Sequence, residues 1–122
     1  MNVIYKEDDS TKTVELTIKG KITQNDFNTV AQKISAFMKR HKKIKLIEKI
    51  DIFDGLTPSA FFNSLAFNFQ NWTKISHCAV VSDLPFMGSL AKVSNAVSPI
   101  EIKSFKNTKS DLGKARTWIS NA

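Results

Sequence analysis

Cysteine is almost missing from this chain. Cys78 is the single one in 122 residues. That excludes an internal disulfide framework and any zinc site built on cysteine pairs. Glycine and proline are scarce as well, at four and three. Gly20, Gly55, Gly88 and Gly113 are never closely spaced, so the chain holds neither a GxGxxG fingerprint nor a Walker A loop. No apolar run approaches the ~20 residues of a membrane span. The opening Met1–Asp9 carries acids where a secretory leader needs an apolar stretch. The expectation is a soluble, cytoplasmic protein. The length fits one domain, residues 1–122, with a core that needs no staples.

Acidic residues are the minority charge, 11 against 18 Lys and Arg, for a net charge of +7. The excess is local. Lys39, Arg40, Lys42, Lys43, Lys45 and Lys49 surround Glu48 alone and carry +5 of the total. Such a run attracts anionic partners in general. It holds no interleaved aromatics, which single-strand binders use for stacking. It also falls where a helix end complements its macrodipole. No nucleic-acid binding is expected.

Periodicity supplies the elements. Val3–Tyr5 is a short strand, and Val14, Leu16 and Ile18 alternate with polar neighbours in a second. The two read as a hairpin. Thr23 and Asp26 form a capping-box variant ahead of Phe27, Val30, Ala31, Ile34, Phe37 and Met38, an amphipathic helical stripe. Ile44–Phe53 is strand-like. Glu48 interrupts its apolar parity, which predicts a bulge or register change there. Thr57-Pro58 opens a helix with Phe61, Phe62, Leu65, Phe69 and Trp72 on one side and Phe67 off the stripe. Cys78–Val81 is apolar on both parities, as a central strand should be. A helix from Asp83 to Val97 and a strand from Ile100 to Phe105 follow. Thr108 and Asp111 then cap a last helix with Leu112, Ala115, Trp118 and Ile119.

The predicted class is therefore α/β, in the order β-β-α-β-α-β-α-β-α. An antiparallel hairpin leads into parallel strands joined by right-handed crossovers. The alternation in the outer strands predicts helices mainly on one face of the sheet. Ile47, Phe53, Val81 and Phe105 would lie on the other face, exposed and fit for a two-fold dimer. The competing expectation is that a terminal segment or the hairpin folds over them and leaves a monomer. Phe67 joins them as a candidate contact.

This order, with five segments, resembles the SpoIIAA-like or STAS-type family, and within it the small uncharacterised bacterial SpoIIAA-like proteins. The segments are Gly20–Asp26, Ile50–Gly55, His77–Asp83, Ile100–Phe105 and Ala115–Ile119. The resemblance implies a non-enzymatic regulatory or protein-interaction role. Relatives that antagonise anti-sigma factors carry a phosphorylated serine in an Asp-Ser-Ser-Gly turn. The matching place here, Asp54–Ser59, lacks that pattern and leaves Thr57 and Ser59 as the regulatory hydroxyls. Both also have ordinary work at a helix start. The fold is similar to lipid-carrying domains too, so a small apolar ligand between the Phe61–Trp72 and Phe86–Val97 helices is the alternative function.

No catalytic set emerges. Cys78 reads as an inert buried thiol. His77 is its chain neighbour, so on a strand the two point to opposite faces. His41 is remote, and two scattered histidines make a poor metal set. Asp54 and Asp83 are expected at the carboxyl ends of adjacent parallel strands, where open α/β sheets bind ligands. Capping is their competing role. No cofactor or metal is expected.

Overall fold

The computed structural model describes residues 3–21, 23–54, 74–83 and 101–122. Five strands form one sheet whose spatial order follows the chain: β1 (Val3–Asp8), β2 (Thr13–Lys21), β3 (Ile44–Asp54), β4 (Ile75–Ser82) and β5 (Glu101–Phe105). β1 and β2 are antiparallel, and every later pair is parallel. Helix α1 (Gln24–Arg40) connects β2 to β3, and helix α2 (Lys109–Ser120) closes the chain. The predicted helices after Thr57 and Asp83 lie outside the described residues. No helix among the described residues is long and apolar enough to cross a membrane.

Short-range chemistry fixes the ends of these elements. In the hairpin turn, Asp8 Oδ1 accepts the Ser10 backbone N–H at 2.9 Å and its hydroxyl at 2.6 Å. Lys12 takes φ 57°, a left-handed value uncommon for a side-chain-bearing residue. The α1 capping box is complete. Asp26 N–H donates to Thr23 Oγ1, and Thr23 N–H donates to Asp26 Oδ2, each at 3.1 Å. The α2 version is different. Asp111 N–H donates to Thr108 Oγ1 at 3.0 Å, but the Asp111 carboxylate accepts from Lys106 N–H instead.

The core has two parts, one on each side of the sheet. Val30, Ile34, Phe37 and Met38 of α1 lie on Val14, Leu16, Ile18, Ile44, Leu46 and Ile50, and the cluster continues through Ile75, Cys78, Val80 and Ile102. On the other side Ala115 and Ile119 of α2 cover Ile47, Ala79 and Val81, with Phe105, Leu112 and Trp118 partly buried around them. So α1 occupies the expected helical face, but α2 takes the opposite one. The physical reason is connectivity. Crossover handedness fixes the side of a helix that returns to the sheet. Helix α2 follows the last strand rather than joining two strands of the sheet, so that rule does not place it, and it lies on Ile47, Ala79 and Val81.

The predicted bulge at Glu48 is absent. Glu48 pairs in register with Leu16 and Val80 and keeps the inward parity of Leu46 and Ile50. The irregularities fall elsewhere. Ile18 pairs with Ile50 and Lys19 with Ile52, so Asp51 is the extra residue opposite β2. Ile44 pairs with Ile75 and Lys45 with His77, so Ser76 is the extra residue in β4.

Candidate functional site

Helix α2 covers β3 to β5 and leaves the hairpin side of the same face open. A cleft of about 570 Å³ lies there. Lys6, Asp8, Thr13 and Glu15 come from the hairpin, and Arg116, Thr117 and Ser120 come from α2. Ile47 and Ile119 form its apolar floor. Arg116 grips Glu15 in a two-pronged contact, Nε to Oε1 at 2.9 Å and Nη2 to Oε2 at 3.2 Å. That contact holds the Arg116 guanidinium further up its already high range. Lys45 Nζ donates to the carbonyls of Ile119 and Ala122, at 3.0 and 2.8 Å, satisfying the end of α2.

The basic run is dispersed by the fold. Lys39 and Arg40 close α1. Arg40 reaches back to Glu7 at 2.9 Å and Asp9 at 3.4 Å, and His41 Nε2 lies 2.8 Å from Asp9. The Tyr5 hydroxyl, then Arg40, lowers the Glu7 carboxyl below its ordinary range. The hydrogen bond from His41, then Arg40, does the same for Asp9. Burial and the Glu7 carboxylate together push the Tyr5 hydroxyl up. Lys45 reaches the end of α2 and Lys49 reaches Asp51. Arg40, Lys45 and Lys49 are thus divided between the hairpin acids, the α2 terminus and the carboxyl end of β3, while Lys39, Lys42 and Lys43 are exposed.

The carboxyl end of β3 holds a polar network. Lys49 Nζ contacts Asp51 Oδ1, and Asn107 Nδ2 donates to the same oxygen at 2.9 Å. Asp83 Oδ1 accepts the Asn107 backbone N–H at 3.0 Å. Burial opposes ionisation of Asp51, but Lys49 and Asn107 outweigh it and hold the carboxyl below its usual range. Asp83 therefore sits at the expected strand end and works as a turn anchor for the β5–α2 connection. The pairing of Asp51 with Asn107 emerges only in three dimensions, because the two are 56 residues apart in the chain. The side chain of Asp54 is not among those described.

Glu48 is the feature that pattern reading missed. Its residue is 1% exposed, and Oε2 has no hydrogen-bond partner. Burial pushes the carboxyl up to about 8. A buried polar group without a partner is costly. Neutralisation by a proton is the cheapest answer. Cys78 on the neighbouring strand is also driven up, by burial and then by the Glu48 charge. The thiol stays protonated in the core, as expected. His77 does point the other way: Nδ1 lies 2.9 Å from Ser76 Oγ, Nε2 3.1 Å from Glu101, and its ring meets Trp118 edge-on at 5.4 Å.

The expected open apolar face needs correction at two positions. Ile47 is 3% and Val81 0% exposed, both beneath α2. They are core residues, covered by the chain's own terminal helix. Phe105 is partly buried against Trp118, ring centres 6.2 Å apart, with Lys103 Nζ 5.5 Å above it. Phe53 belongs to β3 but its side chain is not described. Phe67, Thr57 and Ser59 lie outside the described residues, as does the pocket expected between the two central helices. Among the described residues no three His, Cys, Asp or Glu side chains come together as a metal-holding group.

Mixed-sheet topology with a leading hairpin and a terminal helix on the far face defines a recognisable class. The family model described as SpoIIAA-like matches residues 13–120. The chain belongs to the SpoIIAA-like family. Its fold is similar to the crystal structure of an uncharacterised protein of the DUF3478 family, with a SpoIIAA-like fold, from Shewanella loihica PV-4. The TM-score is 0.65 at 15% identity, over 93% of this chain and 91% of that one. At that identity the likeness is one of fold. None of the curated proteins compared matches the chain.

Proposed function

We propose that the protein is a non-enzymatic interaction module of the SpoIIAA-like type, acting by association with a second copy or another protein. The observation that carries this reading is what the described polar side chains are already doing. Asp51 and Asp83 anchor the β5–α2 turn, His41 holds the hairpin, His77 packs on Trp118, and Cys78 is sealed in the core. These aspartates and histidines each have a structural partner, and the thiol has no access to substrate. What remains accessible is surface, the open hairpin edge and the cleft beside α2. Thr57 and Ser59 are the hydroxyls through which phosphorylation would regulate such a module. The basic run carries no interleaved aromatics, which argues against single-stranded nucleic acid as the partner.

A small apolar ligand is the second reading, and the apolar floor of the cleft, Ile47 and Ile119, favours it. Native mass spectrometry of the purified protein separates the two readings. Protein–protein species without added small-molecule mass support the module. A monomer carrying a retained apolar compound would replace it with the carrier.

A further inference from the structure

The two edges of the sheet are protected unequally. β5 is five residues long and presents Glu101 and Lys103 to solvent. Shortness and charge are the usual ways to blunt an edge. β1 has its charges, Lys6, Glu7 and Asp8, only in its second half. The first half is Val3-Ile4-Tyr5. Among the described residues β1 pairs with β2 alone, so alternate backbone N–H and C=O groups point outward. Ile4, at 43%, is the large apolar side chain left exposed in the described part. On the other face of the strand an open groove of about 400 Å³ runs between Tyr5 and Glu7 and the α1 residues Lys33 and Ala36.

We propose that β1 pairs antiparallel with β1 of a second copy, about a two-fold axis at Ile4, joining the two sheets edge to edge. This rests on the module reading and names its partner and surface. Symmetry selects the register. A two-fold axis normal to the sheet sets one residue opposite its own copy, and cross-strand partners share a face. An axis at Lys6 or Glu7 opposes like charges, which is destabilising. An axis at Tyr5 sets Ile4 against Lys6. An axis at Ile4 sets Ile4 against Ile4 and Val3 against Tyr5, so apolar half meets apolar half and Asp8 stays in water beyond the ladder. The strand is complementary to itself in this sense, and that is why the occupant is a second copy. The outward backbone groups of both strands find partners in the same step.

Sedimentation velocity from 1 to 100 µM (roughly, a range set to bracket weak dimers) should show a monomer–dimer equilibrium. Ile4→Lys should weaken the dimer by ~tenfold or more with an unchanged circular dichroism spectrum, since Ile4 is exposed in the monomer. Cross-linking tests the register. Opposed residues in an antiparallel pair have Cα atoms ~4.5–5.5 Å apart, within a disulfide's reach. Ile4→Cys should therefore oxidise to a covalent dimer. Lys6→Cys, ~13 Å from its copy, should not. The native Cys78 is buried and does not compete. Equal cross-linking at both positions would overturn the register. A dimer indifferent to Ile4→Lys would overturn this surface and leave the module reading standing. A monomer at every concentration would overturn self-association altogether, while protein species in native mass spectra with another partner would still uphold the module.

Discussion

The two faces of the sheet bury their side chains by different means. Under α1 the layer is apolar and nearly continuous from β1 to β5, with Phe37, Ile34, Leu16 and Leu46 sealed from water. Under α2, among the described residues, the apolar contact has five buried members, with lysines and half-buried aromatics at its margin. The larger face hides one carboxyl with an unpartnered oxygen. The smaller face pairs its charges: Lys45 with the helix end, Lys49 with Asp51, Arg116 with Glu15. Burial holds the first face together, and buried contact supplemented by polar fastening holds the second. A face that relies on burial tolerates a charge only by neutralising it.

Four substitutions sharpen this contrast. Phe37→Ala removes the largest sealed side chain of the α1 face and should cost about 3–5 kcal/mol in denaturant titration. A loss under about 1 kcal/mol would mean that α1 is not the main cover.

Glu48→Gln tests the hidden carboxyl through pH. The folded pKa is raised to about 8 from an ordinary 4.5. Between those values the unfolded chain releases the proton and the folded chain keeps it. The wild type therefore loses stability as pH rises through that window, and levels off above it. The variant lacks this loss, so its stability relative to wild type should climb by about 3–5 kcal/mol between pH 4 and pH 9. A difference independent of pH would show that Glu48 is solvated or ionised in the fold.

On the α2 face the effects should be smaller. Trp118→Ala, at a half-buried position, should cost about 1–3 kcal/mol, less than Phe37→Ala. Arg116→Ala breaks a salt bridge whose arginine is 55% exposed, and should cost under about 1 kcal/mol, diminishing further at 1 M salt. If Arg116→Ala proved as costly as Trp118→Ala, the polar fastening would outweigh the buried contact on that face.

Much of this architecture is legible in the chain. The 3.6-residue recurrence of Val30, Ile34, Phe37 and Met38 fixes α1 and its buried side, and Thr23 with Asp26 fixes its start. Strand alternation locates β2, and the doubly apolar Cys78–Val81 places β4 in the interior of the sheet. These are local properties, set by backbone period and by the chemistry of neighbours. Glu48 was misread because a period analysis treats a charge at an inward position as a break in the strand. The strand continues, and burial changes the protonation of the side chain instead. The bulge lies at Asp51, where no composition signal marks it.

Local pattern sets the type of each described element and its apolar stripe, and the strand–helix–strand order gives the parallel pairing. Which face the last helix covers was left to the tertiary structure. Leu112, Ala115 and Ile119 define a stripe but not the surface it meets. Among the described residues α2 is the helix that covers Ile47 and Val81. The polar pairs followed the same logic. Lys45 and Ile119 are 74 residues apart, and Arg116 and Glu15 are 101 apart. Charges that distant attract only after the sheet has brought them within a few ångströms, since water and salt screen them in the open chain.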